Sequence, residues 1–197
     1  MKFISNNKGQ GLVELIIAIA VIEIGIFSVW SLFLINFNAE REAEMRIVGT
    51  NLAREGVEVI KNIRDSNWLK NNNNEFIGGN IWPWDEKLAA GDYTVNYDSD
   101  DPEDAGLTAL YRNSDGFFTN IEGDNTATPY QRKITIKDIC CDDDNDNFQC
   151  DSTDYNVVES SENCPLKIGL KVISEVTWQI SGRSRSATVE DNLYNWR

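Results

Sequence analysis

The chain has 197 residues and a formal charge of −14, from 18 Lys and Arg against 32 Asp and Glu. Most of the excess lies downstream: residues 66–197 hold 11 basic and 24 acidic side chains, a balance that repels nucleic acid phosphate rather than gathering it. There is no histidine, which removes the commonest general base and the commonest transition-metal ligand. The length suits one membrane-proximal helix and one globular domain.

The first nine residues carry Lys2 and Lys8 and no acid. From Leu12 to Phe37 the only charges are Glu14 and Glu23, within an apolar run of about the twenty residues that a spanning helix needs. Lysines before the run and none close behind it place the N-terminus in the cytoplasm and the bulk of the chain outside. No small-x-small cleavage site follows Ile35, so the hydrophobic segment is expected to be retained rather than removed as a secretory signal. A carboxylate near the middle of a bilayer costs roughly 2.5–3.5 kcal/mol, so both glutamates require a reason.

The stretch Gly9-Gln10-Gly11-Leu12-Val13-Glu14, followed by Leu15–Ile22, resembles the N-terminus of type IV pilin-like proteins, the prepilins and pseudopilins. The resemblance implies cleavage between Gly9 and Gln10 by a membrane prepilin peptidase and methylation of the Gln10 amine. It also implies an assembly role for Glu14, the fifth mature residue, which would meet the N-terminal amine of a neighbouring subunit and set its axial register. Gln10 and Gly11 depart from the Phe and the Thr or Ser usual at those two positions. Glu23 receives no role from the resemblance. The partners implied are other subunits, the peptidase, an inner-membrane assembly platform and membrane lipid. The expected location is the inner membrane with the head outside the cytoplasm, then a filament. The function implied is that of a minor pilin or pseudopilin of a pilus or type II secretion pseudopilus. Two alternatives stand beside it: a single-pass anchored adhesin that never polymerises, and a DNA-uptake minor pilin using Arg132, Lys133, Arg183 and Arg185.

Past the apolar run, Met45, Val48, Leu52, Gly56, Val59 and Ile63 recur at spacings of three and four, the stripe of an amphipathic helix. One helix from Leu12 to about Ser66 is predicted, with leader 1–9, membrane or filament-core segment 10–37, amphipathic segment 38–66 and head 67–197. Gly25 is the expected place for local melting. Four consecutive Asn and the Gly78-Gly79 pair should end the helix, leaving 67–91 as an irregular connection pinned by Trp68, Trp82 and Trp84. Strands are predicted at 93–97, 130–139 and 166–180, with a short one at 117–121. A turn through 181–186 leads to a last strand at 187–193. The fold class is α+β, a long helix packed on an antiparallel sheet of about four strands. The closing pair, with Trp178 and the terminal Asn195-Trp196, resembles the minor-pilin and I-type pseudopilin branch.

Residues 98–104 read as a solvated acidic loop. Cys140, Cys141, Cys150 and Cys164 read as two disulfides of an exported domain. A Cys140–Cys141 bridge would strain the intervening peptide, and Cys140–Cys150 with Cys141–Cys164 is the expected pairing among three. Asp142, Asp144 and Asp146 fall at the first, third and fifth positions of a calcium loop. Asn147 and Thr153 stand where such a loop places Gly and Glu, so a disulfide-framed acidic loop over 140–164 is favoured over calcium. No phosphate-cradling loop, Cys/His pair or nucleophile elbow occurs, and no enzymatic activity is expected.

Overall fold

The computed structural model of the protein describes residues 10–73, 76–77, 80–81, 83–106, 108–141, 155–158, 164 and 166–195. A single helix, α1 (Gln10–Asn72), is followed by β1 (Phe76–Ile77), β2 (Asn80–Ile81), β3 (Gly91–Thr94), β4 (Glu103–Asp104) and β5 (Ala109–Arg112). After these come β6 (Phe118–Thr119), β7 (Thr126–Cys141), β8 (Tyr155–Val158), β9 (Leu166–Ile180) and β10 (Arg183–Tyr194). The α+β layout is the one expected. The chain divides into two compact units, Met1–Met45 and Arg46–Arg197.

In the second unit β7 is the hub. One side of it pairs antiparallel with β9 from Tyr130 to Cys141, and β10 pairs with the far side of β9. Its other side is shared in succession by β5, β3 and β8, so the sheet has eight strands rather than about four. Pro129 lies in β7 where the β5 register slips between Ala109 and Tyr111, a place where a missing donor does least harm. There the Thr128 hydroxyl donates to the Leu110 carbonyl in place of a ladder bond.

Strand alternation puts Tyr130, Arg132, Ile134, Ile136 and Asp138 of β7 on the helix side of the sheet. They join Leu170, Val172, Ser174, Val176 and Trp178 of β9, all ten of them buried. The matching helix stripe is Gly49, Leu52, Ala53, Gly56, Val57, Ile60 and Ile63, continued by the buried Arg64, Asn67 and Trp68. Of the stripe read from the sequence, Leu52, Gly56, Val59 and Ile63 are buried, while Met45 and Val48 are only partly covered. Three members of the matching helix stripe are small, which lets the helix lie close to the sheet. A Cβ at Gly56 would stand 2.6 Å from Ile134 Cδ1 and 2.7 Å from Ser174 Oγ, and one at Gly49 2.6 Å from Trp178.

The helix runs six residues past Ser66, because tertiary contacts override the weak propensities of its end. The Asn67 amide donates to the Glu86 carbonyl at 2.9 Å, and the Arg64 guanidinium lies 4.6 Å from the centre of the Trp68 ring. Trp68 is therefore a helical residue, while Trp84 packs on the core and Trp82 lies outside the described residues. The first sheet strand begins at Gly91 rather than Tyr93 and ends at Thr94. The acidic stretch 98–104 is not wholly a loop: Glu103 and Asp104 form β4, and Asp101 pairs with Lys87. The last turn is only Ser181-Gly182, at φ 50° and 74°, so Arg183–Ser186 belongs to β10. Two successive positive-φ residues are what a tight type I′ hairpin requires.

These contacts fix the sign of a substitution. Replacing Gly56 by Val adds a few tenths of a kcal/mol of helical propensity at most, whereas overpacking a filled core costs about 1–3 kcal/mol. Gly56→Val should lower the melting temperature of the full chain in detergent by several degrees, as read by near-ultraviolet circular dichroism.

Candidate functional site

In the first unit α1 presents a belt of exposed apolar side chains from Leu12 to Phe37, each of the large ones roughly half to three-quarters accessible. This part of the helix is long and apolar enough to cross a membrane. Trp30, Phe33 and Phe37 form a stacked ladder with centroids 6.1 and 6.4 Å apart. The Ser28 hydroxyl donates to the Ile24 carbonyl at 2.8 Å, which hides its polarity within the helix. Nothing lies within 4 Å of a Cβ built on Gly11 or Gly25, and the helix continues through Gly25 without a break.

Helical geometry separates the two carboxylates. Glu14 and Glu23 are nine residues apart, about 180° around the axis at roughly 100° per residue and about 13 Å along it. Between Gly11 and Ser28 the face of Glu14 holds Gly11, Ala18, Val21, Gly25 and Ser28, mostly small residues, with Ile17 at its margin; farther along, Leu32 lies in line with it. The face of Glu23 holds Ile19, Phe27, Trp30 and Leu34, which keep a neighbour away. Both carboxylates are exposed, and neither has an ion-pair partner among the described residues. The small-residue face was legible in the sequence as a spacing of three and four through positions 11, 14, 18, 21, 25 and 28, but it was masked by the near-continuous hydrophobicity around it. Gly9 and the proposed cleavage point lie at the edge of, or outside, the described residues.

In the second unit the disulfide expectation is corrected. Cys140 is bonded to Cys164, with Cα atoms 5.4 Å apart, and not to Cys150. Cys141 is also disulfide-bonded, and Cys150 lies outside the described residues. Register is the reason. β9 runs antiparallel beside β7, with Leu166 opposite Cys141 and Lys167 opposite Cys140, so Cys164 lies two residues ahead of the start of β9, at the same end of the sheet as Cys140. Sequence spacing carries no trace of that return path. The calcium candidates Asp142, Asp144 and Asp146 fall outside the described residues. Among the described residues no group of three or more acidic or cysteine side chains is placed to hold a metal ion.

The same end of the sheet holds a charged cluster that the sequence did not reveal. Between Ile139 and Cys140 the β7–β9 register shifts by one residue, so Lys167 lies opposite Cys140 instead of Cys141. This brings Lys167 to the helix side of the sheet, where its ammonium meets Asp138, a fully buried carboxylate, and Asp85, each at 2.8 Å.

The four basic residues considered for DNA do not share a surface. Arg132 is buried at 1% exposure, giving hydrogen bonds to the Leu52 carbonyl at 3.0 Å, the Val95 carbonyl at 2.7 Å and Glu55 at 2.9 Å. Lys133 faces the opposite side of the sheet, within 3.5 Å of Asp92. The Asp92 carboxyl is held below its ordinary pKa of 3.8 chiefly by the Thr135 hydroxyl, which donates to it at 2.6 Å. Arg183 and Arg185 belong to β10.

No protein family, curated protein or solved structure matches the chain.

Removing one member of a buried pair leaves the other charge uncompensated, at a cost of about 3–5 kcal/mol. Lys167→Met should therefore destabilise the protein by roughly that amount. Lys167→Met combined with Asp138→Leu should recover much of the loss, a difference that chemical denaturation of the two variants measures.

Proposed function

We propose that this protein is a structural subunit of a type IV pilin-like filament, a minor pilin or pseudopilin held in the inner membrane until it is assembled. The observation that carries the reading is the placement of Glu14 on the small-residue face of an exposed apolar helix, opposite the face of Glu23. A carboxylate on that face can approach another helix closely, where an unpaired charge in lipid would otherwise be costly. The N-terminal amine of a neighbouring subunit is a cation of suitable size and position. The layout of one long helix whose second part packs under an antiparallel sheet, with a disulfide, agrees with this family's architecture. In this reading the head lies outside the cytoplasm and the chain performs no chemistry of its own.

Processing is the first expectation. Protein extracted from the membranes of its own host should begin at Gln10, methylated or cyclised, by intact-mass and N-terminal analysis; retention of Met1 would refute the prepilin reading.

Assembly is the second. Glu14→Ala should leave membrane insertion, cleavage and head stability unchanged, because the described chain offers Glu14 no partner of its own. Recovery in sheared filament fractions should fall steeply, since a truly buried pair that loses one member costs about 3–5 kcal/mol. Glu23→Ala, on the bulky face, should enter filaments nearly as well as wild type. Equal recovery of Glu14→Ala and wild type would favour the anchored adhesin that never polymerises.

A further inference from the structure

Among the described residues, the last strand has no strand paired to its outer side. β10 is twelve residues long and forms the end of the strand order β10-β9-β7-β3-β4. The hairpin geometry determines which of its main-chain groups are free. In a two-residue hairpin the flanking residues, here Ile180 and Arg183, form a hydrogen-bonded pair, and such pairs alternate along an antiparallel ladder. Arg183, Arg185, Ala187, Val189, Asp191 and Leu193 thus bond inward to β9. Ser184, Ser186, Thr188, Glu190 and Asn192 point their N–H and C=O groups outward. Two bonds agree with this parity. The Asn195 N–H reaches inward to the Ile168 carbonyl at 2.9 Å, while the Asn192 N–H is taken by the neighbouring Asp191 carboxylate at 2.9 Å.

Exposed edges are normally blunted by shortness, proline, inward-pointing charge or lysine. The opposite edge follows that rule, being the two-residue acidic β4. β10 is long and has no Pro, Gly or Lys, and its charges are segregated: Arg183 and Arg185 near its start, Glu190 and Asp191 near its end. A strand with such a pattern repels a parallel copy of itself and attracts an antiparallel one. It also repels β4, whose Glu103 and Asp104 would face Glu190 and Asp191 in one of the two orientations and offer only two residues of ladder in either.

We propose that the outer edge of β10 is the docking site of a second copy of this chain, whose own β10 pairs with it antiparallel about a two-fold axis through Thr188. This register uses the outward groups: Thr188 faces the partner's Thr188, Ser186 the partner's Glu190, and Ser184 the partner's Asn192. On the helix side of the sheet Arg185 meets the partner's Asp191, and Ala187 meets the partner's Val189, each twice by symmetry. The Asp191 carboxylate turns from the Asn192 N–H to the partner's guanidinium, releasing that N–H to the new ladder. Shifting the register by two residues away from the turn places Arg185 opposite Leu193 and loses both ion pairs; shifting it the other way shortens the ladder. The interface is isologous and closes on itself, so it yields a dimer rather than an open fibre. The inference stands on the second unit alone and does not rest on the filament reading.

The test uses the full chain in detergent micelles. Analytical ultracentrifugation corrected for bound detergent should show a monomer–dimer equilibrium. Thr188→Cys should be captured as a dimer by a short thiol-to-thiol cross-linker, since the paired Cα atoms would lie about 5.5 Å apart. Ser184→Cys should not, its two copies being about 27 Å apart along the strands. Thr188→Pro removes an outward N–H without touching the ladder to β9, and should weaken the dimer at least about tenfold with an unchanged circular dichroism spectrum. Asp191→Arg should weaken it similarly, and Arg185→Asp combined with Asp191→Arg should restore it. A monomer at every concentration, equal cross-linking at positions 184 and 188, or a dimer indifferent to Thr188→Pro would each overturn the proposal. The last result would assign dimerisation to the apolar helix instead.

Discussion

The close approach of α1 to β7 at Gly56 sets the geometry of the head. With no side chain there, the helix comes near enough for Arg132, a residue of the central strand, to hand hydrogen bonds to a helix carbonyl, Leu52, and to a carbonyl beyond β3, Val95. One guanidinium thereby joins three segments far apart in sequence. An arginine fits this position better than a lysine, because its planar fork can serve several acceptors at once and stays charged when buried. The Glu55 carboxylate, partly open to solvent, supplies the countercharge at 2.9 Å. The apolar residues around it, Ile60, Ile134, Val172 and Val176, supply the burial energy, about 1.5–3 kcal/mol for each large side chain. The polar bonds decide which single arrangement of helix and sheet that burial selects.

A second constraint operates at the other end of β7. The register shift beside Cys140 changes which side of the sheet Lys167 occupies, and without that change Asp138 would be a buried carboxylate with no cation. The shift also brings the start of β9, and with it Cys164, to the disulfide with Cys140. Asp85 joins Lys167 from the loop after the helix, and Asn67 holds the same loop from the helix through the Glu86 carbonyl. Loop, sheet and helix are thus tied at this end by charge and hydrogen bonds, where the other end uses close packing.

How much of this was legible in the sequence follows the range of the interactions. Alternation is a local signal, and β9 was found with its observed bounds, Leu166–Ile180. β7 was found, but its first four residues were not, since they are strand only because β5 pairs with them across Pro129. The helix was found and its end misplaced, because Asn67 and Trp68 are held by partners seventeen or more residues away or by a ring contact, not by propensity. Its buried stripe was drawn too far toward Met45, as a search for hydrophobic residues passes over Gly49 and Ala53, the small residues that make contact possible. Arg132 looked like a surface cation, and Asp138 like one more acid in an acidic chain. Each acquires its meaning only from a strand register, which no short window of sequence contains.

The two parts of α1 show why one helix can carry two unlike sequences. From Gly49 onward the helix lies on its own sheet, so charged residues such as Arg54 and Glu58 fill the side away from it and small or aliphatic ones the side toward it. From Leu12 to Phe37 the helix exposes apolar side chains on every side, interrupted only by a few polar residues such as Glu14 and Glu23. An all-round apolar helix matches lipid or other helices, and in either setting the hydrophobic effect no longer chooses an orientation. Choice then falls to shape and to the few polar groups. The mostly small residues on the side of Glu14 and the bulky ones on the side of Glu23 make the two sides of the helix unequal, and in the filament proposed above a close neighbour would meet Glu14 in preference. Its charge is costly in lipid and favourable against a cation, which gives this side a directional preference that packing alone would not supply.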